Sequence, residues 1–382
     1  MKRSEINDYI RRHLNLTREE LSAKCGISRA AVRMREMEMG LRRDPEVQPT
    51  KASVLQDFRS FKDKAEHVNV KKRYRLLLSE HGRLQNEYAA ALTLKSAQSS
   101  YRITPAKDGK VSEATAVVLF SDWHVEETVT KAQTMGLNEY TLDIARKRAE
   151  QCFQRALRLT EKERQDASIS TLIVALLGDF ISGRIHEALL EICSLRPVEA
   201  ILFAQELVES GLRFLLENSD LKLVVPCHVG NHARITSKVF HSTEQGNSLE
   251  TAMYHSLRDK FKDEPRVTFI IAGGYHTYLD VYGLTLRFHH GHSVKFFGGI
   301  GGLSIPLFKA IHQWNLTKPA AVDCLGHFHS YLPLPRAVVN GSLIGHNAFA
   351  VSIKAEYERP QQAFFLVDKK RGKTVHIPIL FD

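Results

Sequence analysis

Five short apolar runs in the last 270 or so residues, each about the length of one β-strand, end in Asp, His or Asn, four of them beside glycine. The first reads Ala116-Val-Val-Leu-Phe-Ser-Asp122-Trp-His124, and the second Leu176-Leu177-Gly178-Asp179. The third is Val229-Gly230-Asn231-His232, the fourth Phe288-His289-His290-Gly291-His292, the fifth Leu325-Gly326-His327-Phe328-His329. Asp122 and His124 are two apart, so an extended backbone turns both to one face. Groups placed beyond the carboxyl ends of strands converge on one crevice of an α/β sheet. Any one cluster is weak, because Asp-x-His is common by chance and a lone strand-end histidine is usually structural. The ordered set of five is far more specific.

From about residue 113 strand patterns alternate with helical ones. Strands are expected at Thr115–Phe120, Thr171–Leu177, Leu221–Pro226, Val267–Ile271, Thr277–Val281, Leu284–Phe288, Ala321–Leu325, Ala337–Val339, Ala363–Val367 and Val375–Ile379. Helices fit Leu142–Glu161, Pro197–Asn218 and Ser248–Phe261. This alternation favours an α/β domain with parallel or mixed sheets.

The order Asp-x-His, Gly-Asp, Gly-Asn-His, His-Gly, Gly-His-x-His resembles the calcineurin-like metallophosphoesterase family over about residues 113–350. The resemblance implies a two-sheet α/β sandwich flanked by helices and a centre of two divalent metal ions. Carried over by position, it implies that Asp122, His124 and His329 hold one ion. Asn231, His290 and His327 complete the other site, and Asp179 bridges the two. His290 is chosen because it directly precedes Gly291, with His289 and His292 as rivals. His232 falls where the family keeps a non-ligand histidine that donates to the phosphate or the leaving oxygen. The family commonly has Asp or Glu next, to orient that histidine, but here Ala233 and Arg234 follow. Arg234 then stands as a candidate cation for the substrate phosphate, with a plain surface arginine as the equal alternative. Arg184 and His186, shortly after Asp179, are candidates to flank the phosphate. Gly298 to Gly302 reads first as a tight packing turn, with a flexible lid or a phosphate-cradling turn as alternatives, and His346 as a supporting or surface residue.

The ligand types explain the chemistry. Carboxylate, imidazole and amide donors without thiolate suit manganese, with magnesium, ferrous iron or zinc as alternatives. Two such ions about 3.5–4 Å apart supply hydroxide at neutral pH and clamp phosphate oxygens. The reaction implied is phosphoester hydrolysis, with His232 as general acid or charge stabiliser.

Charge is divided unevenly. The chain of 382 residues carries a net +10; residues 1–110 hold 24 Lys and Arg against 14 Asp and Glu, while residues 111–382 hold 29 of each. A basic appendage on a neutral body points to an anionic partner, above all nucleic acid. Residues 1–43 read as a small all-α unit resembling a helix-turn-helix: a helix from Ser4 to Asn15, then Thr17 with Glu20 as a capping box, Gly26 as a terminator, and Ser28 capping a helix from Arg29 to about Met39. That last helix would offer Arg29, Arg33 and Arg35 to DNA, with Arg42 and Arg43 near phosphates. Residues 44–110 read as a basic helical connector and linker, with residues 50–95 as a candidate oligomerisation element.

The expected function is a two-metal phosphodiesterase acting on DNA, resembling the DNA-repair nucleases of the family. A phosphomonoesterase or small-nucleotide phosphodiesterase is the alternative enzyme. A DNA-binding regulatory protein with a structural metal site is the alternative of another class. Five scattered cysteines, no secretory signal and only strand-length apolar runs such as Leu172 to Leu177 predict a cytoplasmic protein with no membrane partner.

Overall fold

The computed structural model describes residues 2–41, 75, 79, 102–103, 112–296 and 302–381. The chain divides into two compact units, Met1–Gln85 and Asn86–Asp382. Arg42, Arg43, residues 298–301 and nearly all of the connector lie outside the described residues, as does the segment offered for oligomerisation apart from residues 75 and 79.

The first unit contains three helices, α1 (Arg3–Arg12), α2 (Arg18–Cys25) and α3 (Arg29–Glu38). Thr17 and Glu20 form the reciprocal capping box that begins α2, and Gly26, at φ 64°, ends it in the left-handed region. Ser28 caps α3 by accepting from the Ala31 amide. Ser22 Oγ donates to the Ile27 carbonyl at 2.6 Å, tying the turn to α2. Ile6, Ile10, Leu21, Cys25 and Val32 form the unit's core. Helix α1 stops at Arg12, short of the expected Asn15. There the His13 imidazole stacks on Tyr9 and bonds its carbonyl at 2.9 Å.

The second unit runs β1 (Arg102–Ile103), β2 (Glu113–Phe120), α4 (Leu142–Glu163), β3 (Ser168–Leu176), α5 (Leu189–Ile192), α6 (Pro197–Glu217), β4 (Lys222–Cys227), α7 (Leu249–Lys260) and β5 (Val267–Ile271). It continues with β6 (Thr277–Val281), β7 (Leu284–Phe288), α8 (Ser304–Thr317), β8 (Val322–Leu325), β9 (Leu332–Leu334), β10 (Ala337–Val339), α9 (Ala348–Ser352), β11 (Gln361–Asp368) and β12 (Gly372–Leu380). Two six-stranded mixed sheets result, in the orders β12-β11-β2-β3-β4-β5 and β1-β6-β7-β8-β10-β9. The second unit is therefore an α/β sandwich of two sheets flanked by helices, as the sequence led us to expect.

Period-two alternation divides the burial. On β2, Ala116, Val118 and Phe120 face the core under α4, α6 and α7, while Val117 and Leu119 face the second sheet. Strand β3 repeats this with Leu172, Val174 and Leu176 against Ile173 and Ala175. Both faces of these central strands are buried, which explains their near-continuous apolar sequence. Gly211 lets α6 close on α4, since a β-carbon there would lie 2.1 Å from the Phe153 ring. Leu307 and Ile311 of α8 cover the far side of the second sheet. Strand β9, absent from our sequence expectation, contains Pro333 and lies at a sheet edge, where a missing N–H costs no ladder bond. Among the described residues no helix is long and apolar enough to cross a membrane.

Candidate metal centre

Parallel pairing of β2 with β3 and β3 with β4, and of β7 with β8, brings five strand ends together. Asp122 and His124 follow β2, Asp179 follows β3, Asn231 follows β4, His290 follows β7, and His327 and His329 follow β8. The connecting loops are stitched to one another. The Asp122 amide donates to the Gly178 carbonyl at 3.0 Å, and the Trp123 amide to that of Asp179 at 2.8 Å. The Gly326 amide donates to the His290 carbonyl at 2.9 Å, and the His327 amide to Asp122 Oδ2 at 3.0 Å.

Asp122, His124, Asp179, His327 and His329 all have positive φ, between 47° and 72°. Left-handed backbone at a residue with a β-carbon costs on the order of 1–2 kcal/mol, so five such residues in one place mark a built site. The motif glycines permit the crowding. A β-carbon on Gly230 would lie 2.0 Å from Asp179 Oδ1, and one on Gly326 would lie 2.4 Å from Asp122 Oδ2.

Two triads of ligating atoms form here, Asp122 with His124 and His329, and Asp179 with His290 and His327, each set of atoms within 4.8 Å of one another. Asp179 also groups with His124 and His232, so its carboxylate reaches toward both. His290 Nε2 lies 2.9 Å from Asp179 Oδ2 and 3.2 Å from Asn231 Oδ1. His290 therefore joins the cluster and its two rivals do not. His289 turns to the buried Arg287–Asp323 ion pair, 3.3 Å from Asp323 Oδ1, and His292 turns to Glu244.

The cluster fits a pair of metal ions. The buried His124 Nε2 has no hydrogen-bond partner among the described residues, while Nδ1 is held 2.9 Å from Ser182 Oγ. Burial and the neighbouring imidazoles push His124 and His327 well below the usual histidine range, so both keep the neutral form that ligates. Burial alone would raise the Asp179 carboxyl, but His290 and His232 outweigh it and hold Asp179 well below the usual range.

The remaining candidates have definite places. His232 stands edge-on to His124, with ring centroids 4.8 Å apart, and its Nδ1 lies 3.0 Å from the Ser182 carbonyl. The Arg234 guanidinium donates to the Asn231 carbonyl, to that of Thr236 at 3.1 Å and to that of Ser237 at 3.4 Å, bracing the loop that carries Asn231. Arg184 and His186 are exposed on the turn beyond Asp179, and Arg184 lines a cavity of about 320 Å³ together with Arg196. His346 is buried, its ring against Tyr357.

Four supporting residues escaped our sequence reading. Ser121 Oγ bonds Asp122 Oδ2 and is in turn bonded by Asn340 Nδ2 at 2.8 Å. Ser182 holds His124 and His232. Glu250, fully buried, accepts from the Phe180 amide at 2.8 Å and the Gly230 amide at 2.7 Å, joining the Asp179 and Asn231 loops. Burial and the Asp179 charge push its carboxyl up to about 8. Glu126 accepts through Oε1 from the Ser182 and Gly183 amides at 2.8 and 2.9 Å, while its buried Oε2 has no hydrogen-bond partner among the described residues. Only Ser121, beside Asp122, had a sequence signal.

Burial pushes the Glu126 carboxyl from 4.5 up to about 7, against the pull of the two amides. A folded-state value above the unfolded one favours the fold below about 4.5, and that contribution is lost as pH rises through about 7. Glutamine keeps the Oε1 acceptor and stays neutral. Glu126→Gln is therefore expected to match the wild type in thermal stability at pH 5 and to exceed it by on the order of 2 kcal/mol at pH 8.5. Equal stability of the two at both pH values would contradict a protonated Glu126.

Fold and site together define an α/β sandwich with a candidate binuclear metal centre at the carboxyl ends of its strands. No family model matches the chain, and no curated protein matches it. Among solved structures, it is similar to a conserved uncharacterized protein from Streptococcus pneumoniae described as a predicted phosphoesterase, at 12% identity and TM-score 0.29, covering 67% of this chain and 84% of that one. It is also similar to a putative 5'-nucleotidase from Staphylococcus aureus, at 12% identity and TM-score 0.31, over 71% and 55% of the two chains. A third is the sulfate thiohydrolase SoxB of Termus thermophilus, at 10% identity and TM-score 0.26, over 73% and 58%. The chain thus spans little more than half the length of the latter two, and superpositions this loose carry no weight on activity.

Proposed function

We propose that this protein is a metal-dependent phosphoester hydrolase, and that its substrate is DNA cut as a phosphodiester. The observation that carries the first part is the convergence of the two ligand triads around Asp179, with an imidazole outside the assigned ligand set, His232, beside them. Asp122, His124 and His329 would hold one ion, and Asn231, His290 and His327 the other, with Asp179 shared. When bound, such ions, manganese in the first instance, lower the pKa of water and neutralise charge on the phosphate. A structural site has no need of the histidine.

The chain's own residues do the rest. The Ser182 carbonyl accepts a hydrogen bond from Nδ1–H of His232, which fixes the ring; in the imidazolium form, with both nitrogens protonated, Nε2–H would give its proton to the leaving oxygen. Arg234 positions Asn231 through its carbonyl. His232→Ala is expected to lower turnover about 10²–10³-fold with metal content unchanged. Loss of an ion in that variant would make His232 a ligand.

The DNA reading is supported by the segregated charge and the N-terminal helices. Arg33 is exposed, Arg29 forms an exposed pair with Glu19 at 2.8 Å, and Arg35 is drawn to Asn7 Oδ1 at 2.9 Å. An exposed pair is worth well under about 1 kcal/mol, so Arg29 remains available to a phosphate. Arg33 and Arg29 are thus the better-placed contacts. The test incubates the full chain and Mn²⁺ with plasmid, end-labelled single-stranded DNA, RNA and p-nitrophenyl phosphates. Cleavage of DNA with weak action on the monoester is expected. A preference for the monoester would favour the phosphomonoesterase, and no hydrolysis at all the DNA-binding regulator. Deleting residues 1–100 is expected to weaken DNA binding, most at moderate salt, and to spare hydrolysis of a small chromogenic diester. Equal loss of both would give the N-terminal part a folding role.

A further inference from the structure

We infer that His241, Glu244 and His292 form a third cation site, separate from the seven ligands above and suited to zinc. His241 and Glu244 lie in the segment between β4 and α7, downstream of the Asn231 loop. His292 lies two residues beyond His290. Their ligating atoms fall within 4.8 Å of one another, and none of the three belongs to either triad.

The side chains of His292 and Glu244 are only 5% and 7% exposed. His292 Nε2 stands 2.8 Å from Glu244 Oε1, within ion-pair reach, yet neither atom has a hydrogen-bond partner among the described residues, and His292 Nδ1 also has none. An unpaired buried polar atom costs about 1–3 kcal/mol. A close contact without hydrogen-bond alignment is what two donors show when both are aimed at a third body. His241 is exposed and its ring is parallel to that of His292, so it can close the set from the solvent side.

Two imidazole nitrogens and one carboxylate oxygen are the three-ligand set that zinc takes with a fourth position left to water. Donors at about 2.0–2.2 Å from one ion stand roughly 3.4 Å apart. The His292–Glu244 pair, at 2.8 Å, stands closer than that, so the two side chains would open by roughly 0.6 Å to admit the ion. A cation here would tie the Asn231 loop to the His290 segment, whose ring is 5.6 Å from that of His292. The inference does not depend on the phosphoester reading, because it uses none of that centre's ligands.

The full chain is stripped with chelator, reloaded with Zn²⁺ and freed of excess, and zinc per chain is counted for wild type, His241→Ala and Glu244→Gln. Each variant is expected to hold one zinc fewer than wild type. Crystals of the zinc-loaded wild type are expected to show an anomalous peak among the three side chains. His241 is exposed, so its replacement leaves the core intact, and circular dichroism checks the fold. Should a variant unfold, the wild-type anomalous map alone decides. A peak at this trio without paired ions near Asp179 would sustain the inference and sink the binuclear centre. Equal zinc counts, or a map with no peak at the trio, would reduce His292 and Glu244 to a plain ion pair and overturn it.

Discussion

Replacing Asp179 by asparagine is expected to remove at least one ion per chain and to lower phosphoester hydrolysis by about 10³-fold or more, a loss of roughly 4 kcal/mol. The fold should survive. The replacement side chain would keep an Oδ1 to accept the His232 amide, now bonded at 2.8 Å, and its amide group would meet the Nε2 of a neutral His290. What disappears is the negative charge between two sets of imidazoles. In the metal-free protein that charge overcomes burial and raises His290 to about 10, so the substitution should also bring His290 down, as its imidazole signals will report on titration. Metal analysis and turnover of a chromogenic diester supply the other readings. Full metal content with full activity would remove Asp179 from the bridging position.

The second large effect concerns backbone. Gly178 and Gly283 have nearly the same left-handed φ, 89° and 88°. A β-carbon on Gly283 meets nothing within 4 Å, whereas one on Gly178 would lie 2.1 Å from the Gly230 nitrogen and 2.6 Å from the Val229 carbonyl carbon. Gly283→Ala should therefore cost only the conformational penalty of about 1 kcal/mol. Gly178→Ala adds a clash between two backbone segments and should cost about 4 kcal/mol or more, with loss of metal binding as the Asp179 and Asn231 loops part. Urea unfolding of the two variants measures both. Similar costs at the two positions would mean that φ, not the close approach, accounts for glycine at 178.

The pairing of these glycines with the ligands explains why so much of the centre was readable in one dimension. A strand end places a side chain at the sheet's edge, and a glycine beside it lets a neighbouring loop come within bonding distance. Gly-Asp, Gly-Asn-His and Gly-His-x-His record both facts locally. Glu250 and Ser182 carry no such signature. Each acts through partners far along the chain, Glu250 on Phe180 and Gly230 and Ser182 on His124 and His232, and an isolated buried glutamate or serine looks like any other.

Local periodicity gave an α/β domain with parallel or mixed sheets, and the resemblance of the ordered motifs implied the two-sheet sandwich. Alternation of period two marked the strands, and where both faces are buried, as on β2 and β3, the run became continuous instead. It failed at β9, because proline is tolerated only at an edge and edge status is a property of the assembled sheet. Among His289, His290 and His292 the sequence favoured His290, the residue directly before Gly291, but kept the other two as rivals. Tertiary packing separated them, sending one to Asp323, one to Asp179 and one to Glu244. Neighbours at a strand end face opposite layers, and Gly291, at φ 115°, turns the chain before His292, so each imidazole meets a different carboxylate.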